Sequence, residues 1–172
     1  QHAPGTADAV HLCHASFTSA TFYCPTRVGQ QQQLLPSIVI VCGWGCGEQA
    51  MAAWGPFYAS HGIVAMTIGT PTPLKDAPGA RCQALLDASA ALQTEHERDG
   101  SVLQGRLDVA QRAVQGYSYG GGGAQLAAQK DPTLKCIIAL CPDDNTRSTC
   151  ATPADTLVFP SDPTGSVPVL II

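Results

Sequence analysis

The residues best suited to chemistry lie at 116–123, Gly-Tyr-Ser-Tyr-Gly-Gly-Gly-Gly. They contain the pattern Gly-x-Ser-x-Gly with Ser118 at its centre. An apolar run precedes the pattern and a helix-forming stretch follows it, so Ser118 is expected on a strand-to-helix turn. A turn that sharp lifts the serine hydroxyl above the sheet, and only small residues tolerate the close approach on either side. Gly116 and Gly120 fill those places. The start of the following helix favours negative charge beside Ser118. A serine so placed can carry out acyl transfer through a covalent intermediate.

Such chemistry also needs donors for the oxyanion of the tetrahedral intermediate. One is the N–H of the residue after the nucleophile, here Tyr119. The second is expected in the loop after an earlier central strand. Cys42-Gly43-Trp44-Gly45 follows an apolar run and fits that place. Trp44 would present its backbone N–H, with its indole as one wall of the cleft. The glycine run lacks the Lys-Ser/Thr of a phosphate-binding loop. His11-Leu12-Cys13-His14 is a poor metal site by spacing, and Cys42 with Cys46 has no matching pair at zinc-finger distance. No metal and no cofactor is expected.

The elements that must hold these residues are legible in outline. Strands are expected at 17–23 (an edge strand), 37–42, 63–68, 113–116, 136–140 and 167–172. Helices are expected at 49–60, 81–97 and 121–130, each ended by a turn signal such as His61-Gly62 or Asp131-Pro132. The run Ser-Ile-Val-Ile-Val-Cys at 37–42 is apolar throughout, as in a strand buried on both faces. Strands alternating with helices imply βαβ units and a mostly parallel, twisted sheet with helices on both faces. A single α/β domain over 1–172 follows. Glutamines 30–33 read as a surface loop.

Of the 172 residues, 45% are apolar and 13% are charged, with a formal net charge of −4. No basic run marks a nucleic-acid partner. No apolar stretch reaches the roughly 18 residues of a membrane span. The first residues lack a charged start followed by an apolar core, so we read residue 1 as a mature N-terminus. Eight cysteines with so little charge suggest an oxidising compartment and disulfides. Cys13 with Cys24, and Cys141 with Cys150, are short closures; the pairing is otherwise open. Secretion, extracellular or periplasmic, is the expected location.

Three blocks resemble the bacterial cutinase and PET-hydrolase group, the polyesterase–lipase–cutinase branch of the α/β-hydrolases. They are Ile38-Val39-Ile40-Val41-Cys42-Gly43-Trp44, Trp54-Gly55-Pro56-Phe57-Tyr58-Ala59-Ser60-His61-Gly62-Ile63-Val64, and Gly116 to Gly123. The segment from Asp108 to Gly116 is also similar, and the resemblance spans roughly 17–172. It implies an α/β-hydrolase fold and a serine esterase acting on a polymeric or lipid-like ester, by resemblance a polyester depolymerase. Ser118 would be the nucleophile and the N–H groups of Trp44 and Tyr119 the oxyanion hole. Trp44, Tyr117, Tyr119 and Asp143 would line the substrate cleft.

The departures from the family pattern carry information too. Tyr119 stands where the family has a Met, and Tyr117 where it has His or Trp. Asp143 replaces an aromatic wall, which makes that subsite more polar and disfavours a flat aromatic diacid. Poly(ethylene terephthalate) is therefore not the expected natural substrate. The family's acid follows a strand of the form Val-Pro-x-Leu-Ile-Phe, which here is 167–172, and its base comes later still. All five histidines (His2, His11, His14, His61 and His96) precede Ser118, and Asp143, Asp144, Asp155 and Asp162 do not stand at the acid position. The domain thus reads as incomplete at its C-terminus, with Asp and His supplied by a further segment or a second chain. The alternatives are an unusual base, hydrolysis of amide-linked or polar polymers, and a catalytically dead ligand-binding homologue.

Overall fold

The computed structural model describes residues 5–6, 14–25, 34–143 and 169–171. The expected glutamine loop, Cys13, Cys150, His2, His11, Asp144, Asp155 and Asp162 lie outside these residues. So do the outer positions of the last expected strand.

Among the described residues, seven strands form one sheet in the order β1-β2-β4-β3-β5-β6-β7. They are β1 (Gly5–Thr6), β2 (Ser19–Cys24), β3 (Leu35–Val41), β4 (Val64–Gly69), β5 (Leu107–Tyr117), β6 (Cys136–Leu140) and β7 (Val169–Ile171). From β4 through β7 every pairing is parallel, while β2 runs antiparallel to both β1 and β4. β2 is therefore flanked on both sides rather than the edge strand its alternation suggested. β5 begins six residues before the expected 113. Its first half carries exposed Val109, Ala110 and Gln111, so it gives no apolar run to read.

β3 shows why the centre of the sheet is apolar throughout. Val39 and Val41 join one core with Val64, Met66 and Val114, while Ile38 and Ile40 join another with Ala65. Successive side chains point to opposite faces, so a strand covered on both must be apolar at every position. Pro36 sits where the pairing with β5 shifts register, between Leu35 and Ser37, a place that needs no ladder N–H.

Among the described residues the helices are α1 (Trp54–Ser60), α2 (Pro78–Glu97) and α3 (Tyr119–Lys130). α1 supplies Tyr58 and Ala59 to the Ile38 core. α2 and α3 supply Cys82, Leu85, Ala88, Leu92, Ala124 and Ala127 to the Val39 core. The helix expected over 49–60 is two pieces, a 3₁₀ turn at Glu48–Met51 and then α1. The reason is Pro56. Its ring would clash with the Ala52 carbonyl in a continuous helix, so it is tolerated only in a first turn. α2 starts three residues early, at Pro78, where a missing N–H and a preset φ suit the first helical position.

Candidate active site

β5 ends at Tyr117 and α3 begins at Tyr119, leaving Ser118 alone to make the turn. Its backbone has φ 54° and ψ −118°. That is the mirror image of an ordinary extended conformation, open to glycine but unfavourable for any L side chain. Holding a serine there costs on the order of 1–3 kcal/mol. Backbone hydrogen bonds hold it. The Ser118 N–H donates to the Leu140 carbonyl at 2.9 Å, and its carbonyl accepts from Gly122 and Asp143 N–H groups, each at 3.0 Å. The Ser118 hydroxyl does not cap α3, although caps of this kind are a common use of serine.

The glycines around the turn are dictated by contact. A Cβ on Gly116 would lie 1.9 Å from the Gly120 carbonyl oxygen. One on Gly120 would lie 2.6 Å from the Cys42 oxygen and 2.7 Å from that of Val41. Further along, Gly121 faces Pro142, Gly122 faces the Asp143 carbonyl at 2.2 Å, and Gly123 faces Arg81 and Cys82. The first turn of α3 is thus pressed between the end of β3, the segment after β6 and the start of α2. Tyr119 is the first residue of that helix.

The loop after β3 meets this turn directly. A Cβ on Gly43 would stand 2.8 Å from Ser118 Cβ and 3.3 Å from its hydroxyl. The next residue, Trp44, is 58% exposed and ties its indole N–H to the Leu74 carbonyl at 2.8 Å. The Gly45 N–H donates to the Pro73 carbonyl at 2.9 Å, joining this loop to the one after β4. Tyr117 is exposed beside Ser118, and so is Asp143. The residues singled out in the sequence therefore gather at one end of the parallel strands: Ser118 and Tyr119 on the turn, Trp44 one residue from Gly43, and Asp143 through its backbone bond to Ser118.

Two features of this end escaped the sequence reading. Cys42 and Cys46 form a disulfide with a Cα–Cα distance of 5.8 Å, which brackets Gly43-Trp44-Gly45. The spacing of four is visible in the sequence, where it reads only as a poor metal pair. Of the expected closures, Cys24 is a buried thiol and Cys141 an exposed one, neither in a disulfide. The second feature is Arg81, wholly buried in the first turn of α2 and bonded to carbonyls of both loops. Its only sequence signal was a charge on the stripe that includes Leu85, Ala88 and Leu92.

The described histidines are engaged elsewhere. The His61 ring lies 2.8 Å from the Phe57 carbonyl at the end of α1. His96 accepts from the Leu107 N–H at 3.1 Å, and His14 lies 2.7 Å from Ser16 and 3.5 Å from Asp87. Among the described residues, no histidine hydrogen-bonds the Ser118 hydroxyl, and no group of three or more metal-ligating side chains comes together.

A mostly parallel sheet with helices on both faces, and a serine strained on a strand-to-helix turn, is the α/β-hydrolase architecture. Residues 3–169 match the family described as PET hydrolase-like, and the chain belongs to that family. It is 34% identical over 152 residues to Cutinase 1 of Thermobifida cellulosilytica, covering 88% of this chain and 55% of that protein. It is also 34% identical over 152 residues to a cutinase of Thermobifida fusca (strain YX), covering 88% and 48%. A bis(hydroxyethyl) terephthalate hydrolase of Streptomyces coelicolor is 34% identical over 158 residues, covering 92% and 48%. The chain spans about half the length of the curated relatives it matches.

Proposed function

We propose that this protein is a secreted serine esterase that cleaves the carboxylic esters of an extended polyester or lipid-like substrate. Ser118 attacks the ester carbonyl, and its proton passes through a histidine base to the departing alcohol. Water then cleaves the acyl-enzyme and releases the acid. The backbone N–H groups of Trp44 and Tyr119 hold the oxyanion. Trp44, Tyr117 and Tyr119 line the cleft.

The observation that carries this reading is the Ser118 backbone at φ 54° and ψ −118°, with Gly116 and Gly120 two residues away on either side. A protein that needed only a turn would place glycine there. The names of the relatives, cutinases and a terephthalate ester hydrolase, support an ester substrate. The exposed carboxylate of Asp143 favours an aliphatic or polar chain over a flat aromatic diacid. The base and its carboxylate partner belong, on this reading, to the part of the relatives' length that this chain does not span. The Cys42–Cys46 bridge supports an oxidising compartment.

The test uses the protein expressed from its complete gene. Ser118→Ala should abolish hydrolysis of a short-chain p-nitrophenyl ester and of an aliphatic polyester film, and should abolish labelling by an organophosphonate. Turnover at the original rate in Ser118→Ala would overturn the proposal. Ligand binding without Ser118 labelling in the unaltered protein would favour a non-catalytic homologue.

A further inference from the structure

We infer that Arg81 is a positioning residue for ester hydrolysis. Its guanidinium fixes both ends of the segment that presents the Trp44 N–H to the oxyanion. The inference rests on the esterase reading above.

The geometry is a bracket. Arg81 Nη1 donates to the Cys42 carbonyl at 2.9 Å, which fixes the peptide leading into Gly43. Nη2 donates to the Pro73 carbonyl at 2.9 Å. That same carbonyl accepts the Gly45 N–H at 2.9 Å. One planar cation therefore holds the segment 43–45 directly at its start and through Pro73 at its end. Nε donates to the Asp76 carbonyl at 3.2 Å, and Nη1 reaches the Thr70 hydroxyl at 3.5 Å. Every one of these partners is a neutral oxygen, on Cys42 just after β3 or in the segment 70–76 between β4 and α2. A fixed fork of donors can serve several acceptors at once, which an ammonium group cannot do in the same plane.

Stability alone does not account for this arrangement. Arg81 is 0% exposed. Burying a charge is expensive; the nearby Asp76 carboxylate favours the cation and offsets part of that cost, but it makes no ion pair with Arg81 among the described residues, and burial still outweighs it. The residue also sits in the first turn of α2, where the helix dipole opposes a cation. Its backbone is pinned as well, since a Cβ on Gly123 would come within 3.0 Å of Arg81 Cβ. A buried cation kept in so unfavourable a place, with its donors spent on the loop that meets Ser118 and on the loop bonded to it, is suited to holding an N–H in line with a developing charge. Such preorganised donors are worth far more in the transition state than in the ground state.

The experiment compares the unaltered protein, Arg81→Lys, Arg81→Gln and Ser118→Ala, each expressed from the complete gene. The substrates are a soluble ester and its thionoester. Sulfur is a much weaker acceptor than oxygen, so a well-aligned oxyanion site favours the ester strongly. The ratio of the two rates does not depend on the fraction of enzyme that folds. We expect kcat for the ester to fall about 10- to 100-fold in both Arg81 variants, with KM changed less than about threefold. The ester-to-thionoester ratio should fall several-fold. Arg81→Lys retains the charge and the aliphatic stem, so its failure to restore the ratio would identify the fork rather than the charge. If ester and thionoester rates fall together, or do not fall, the inference is overturned. If Ser118→Ala keeps its turnover, the esterase reading itself fails, whatever the Arg81 variants do.

Discussion

Gly43 and Ser118 lie on different loops yet share one van der Waals contact surface. A Cβ on Gly43 would stand 2.8 Å from Ser118 Cβ and 2.9 Å from the Tyr117 carbonyl oxygen. On the proposed esterase reading, the segment that would carry one oxyanion donor is thus placed by direct contact with the residues around Ser118. Gly43→Ala should separate the two loops by a few tenths of an ångström. We expect kcat to fall about 10- to 100-fold with little change in melting temperature. Steady-state kinetics beside a thermal melt checks this, and unchanged kcat would show that the contact is slack.

The strain at Ser118 predicts opposite effects on stability and activity. Ser118→Gly should abolish turnover and stabilise the fold by roughly 1 kcal/mol, because glycine adopts φ 54° freely. Ser118→Ala should abolish turnover without that gain. Denaturant titration of the two variants separates backbone strain from loss of the hydroxyl. Equal stabilities would mean that the turn stores no strain.

The Cys42–Cys46 bridge closes a loop of only five residues around Trp44. Its effect should therefore appear in the site more than in the fold. In the Cys42→Ala/Cys46→Ala double variant, ester turnover should drop roughly tenfold while circular dichroism stays unchanged. Retained activity would show that Arg81 and Pro73 hold the loop without it.

Beneath β5 the Tyr58 hydroxyl donates to Gln115 Oε1, while Gln115 Nε2 is buried without a partner. Tyr58→Phe should cost about 1–3 kcal/mol by orphaning the rest of that amide. Adding Gln115→Met should cost less than the sum of the singles. Burial, and then the Cys136 thiol, push the Tyr58 pKa up to about 12. The neutral phenol is favoured in the fold, so its contribution is intact below the unfolded value near 10. It is lost as pH rises through about 12. Denaturation midpoints between pH 9 and 12 should fall more steeply in the unaltered protein than in Tyr58→Phe.

Glu95 closes the C-terminal end of α2 and responds to acid. It accepts from Arg98 at 2.6 and 2.7 Å and from the Ser101 hydroxyl at 2.7 Å. The Arg98 hydrogen bonds, against the opposing effect of burial and with help from Ser101, hold its carboxyl below the usual glutamate value. Its contribution is present above pH ~4.3 and is lost as pH falls through the depressed value. Glu95→Gln should lower the melting temperature at pH 7 and flatten its decline below pH 5. Parallel acid limbs would show that Glu95 does not couple to folding.

What could be read from the chain was what is local. The serine turn lies within a handful of residues, and the core of β3 announces itself by six consecutive apolar or small side chains. β6 was legible at its full length for the same reason. Arg81 was not, because its partners stand at 42, 70, 73 and 76, and only folding brings the first of them to α2. β5 was seen only in its buried half. The break before α1 follows from a clash between Pro56 and a carbonyl four residues back, which the apolar pattern over 49–60 conceals. The disulfide needed a three-dimensional distance to be distinguished from a spacing.

The four glycines from Gly120 to Gly123 divide the site into a part that can vary and a part that cannot. Each is walled by a different neighbour, from the Val41 and Cys42 carbonyls to Arg81 Cβ. A library that randomised them would return few folded members. Trp44 and Tyr117 are instead 58% and 44% exposed, and Asp143 is exposed, so changes in their side chains meet less packing than changes at the glycines, although Trp44 would give up its bond to the Leu74 carbonyl. Selection for a new substrate, in nature or in the laboratory, should therefore accumulate changes at that rim and leave the glycine floor untouched.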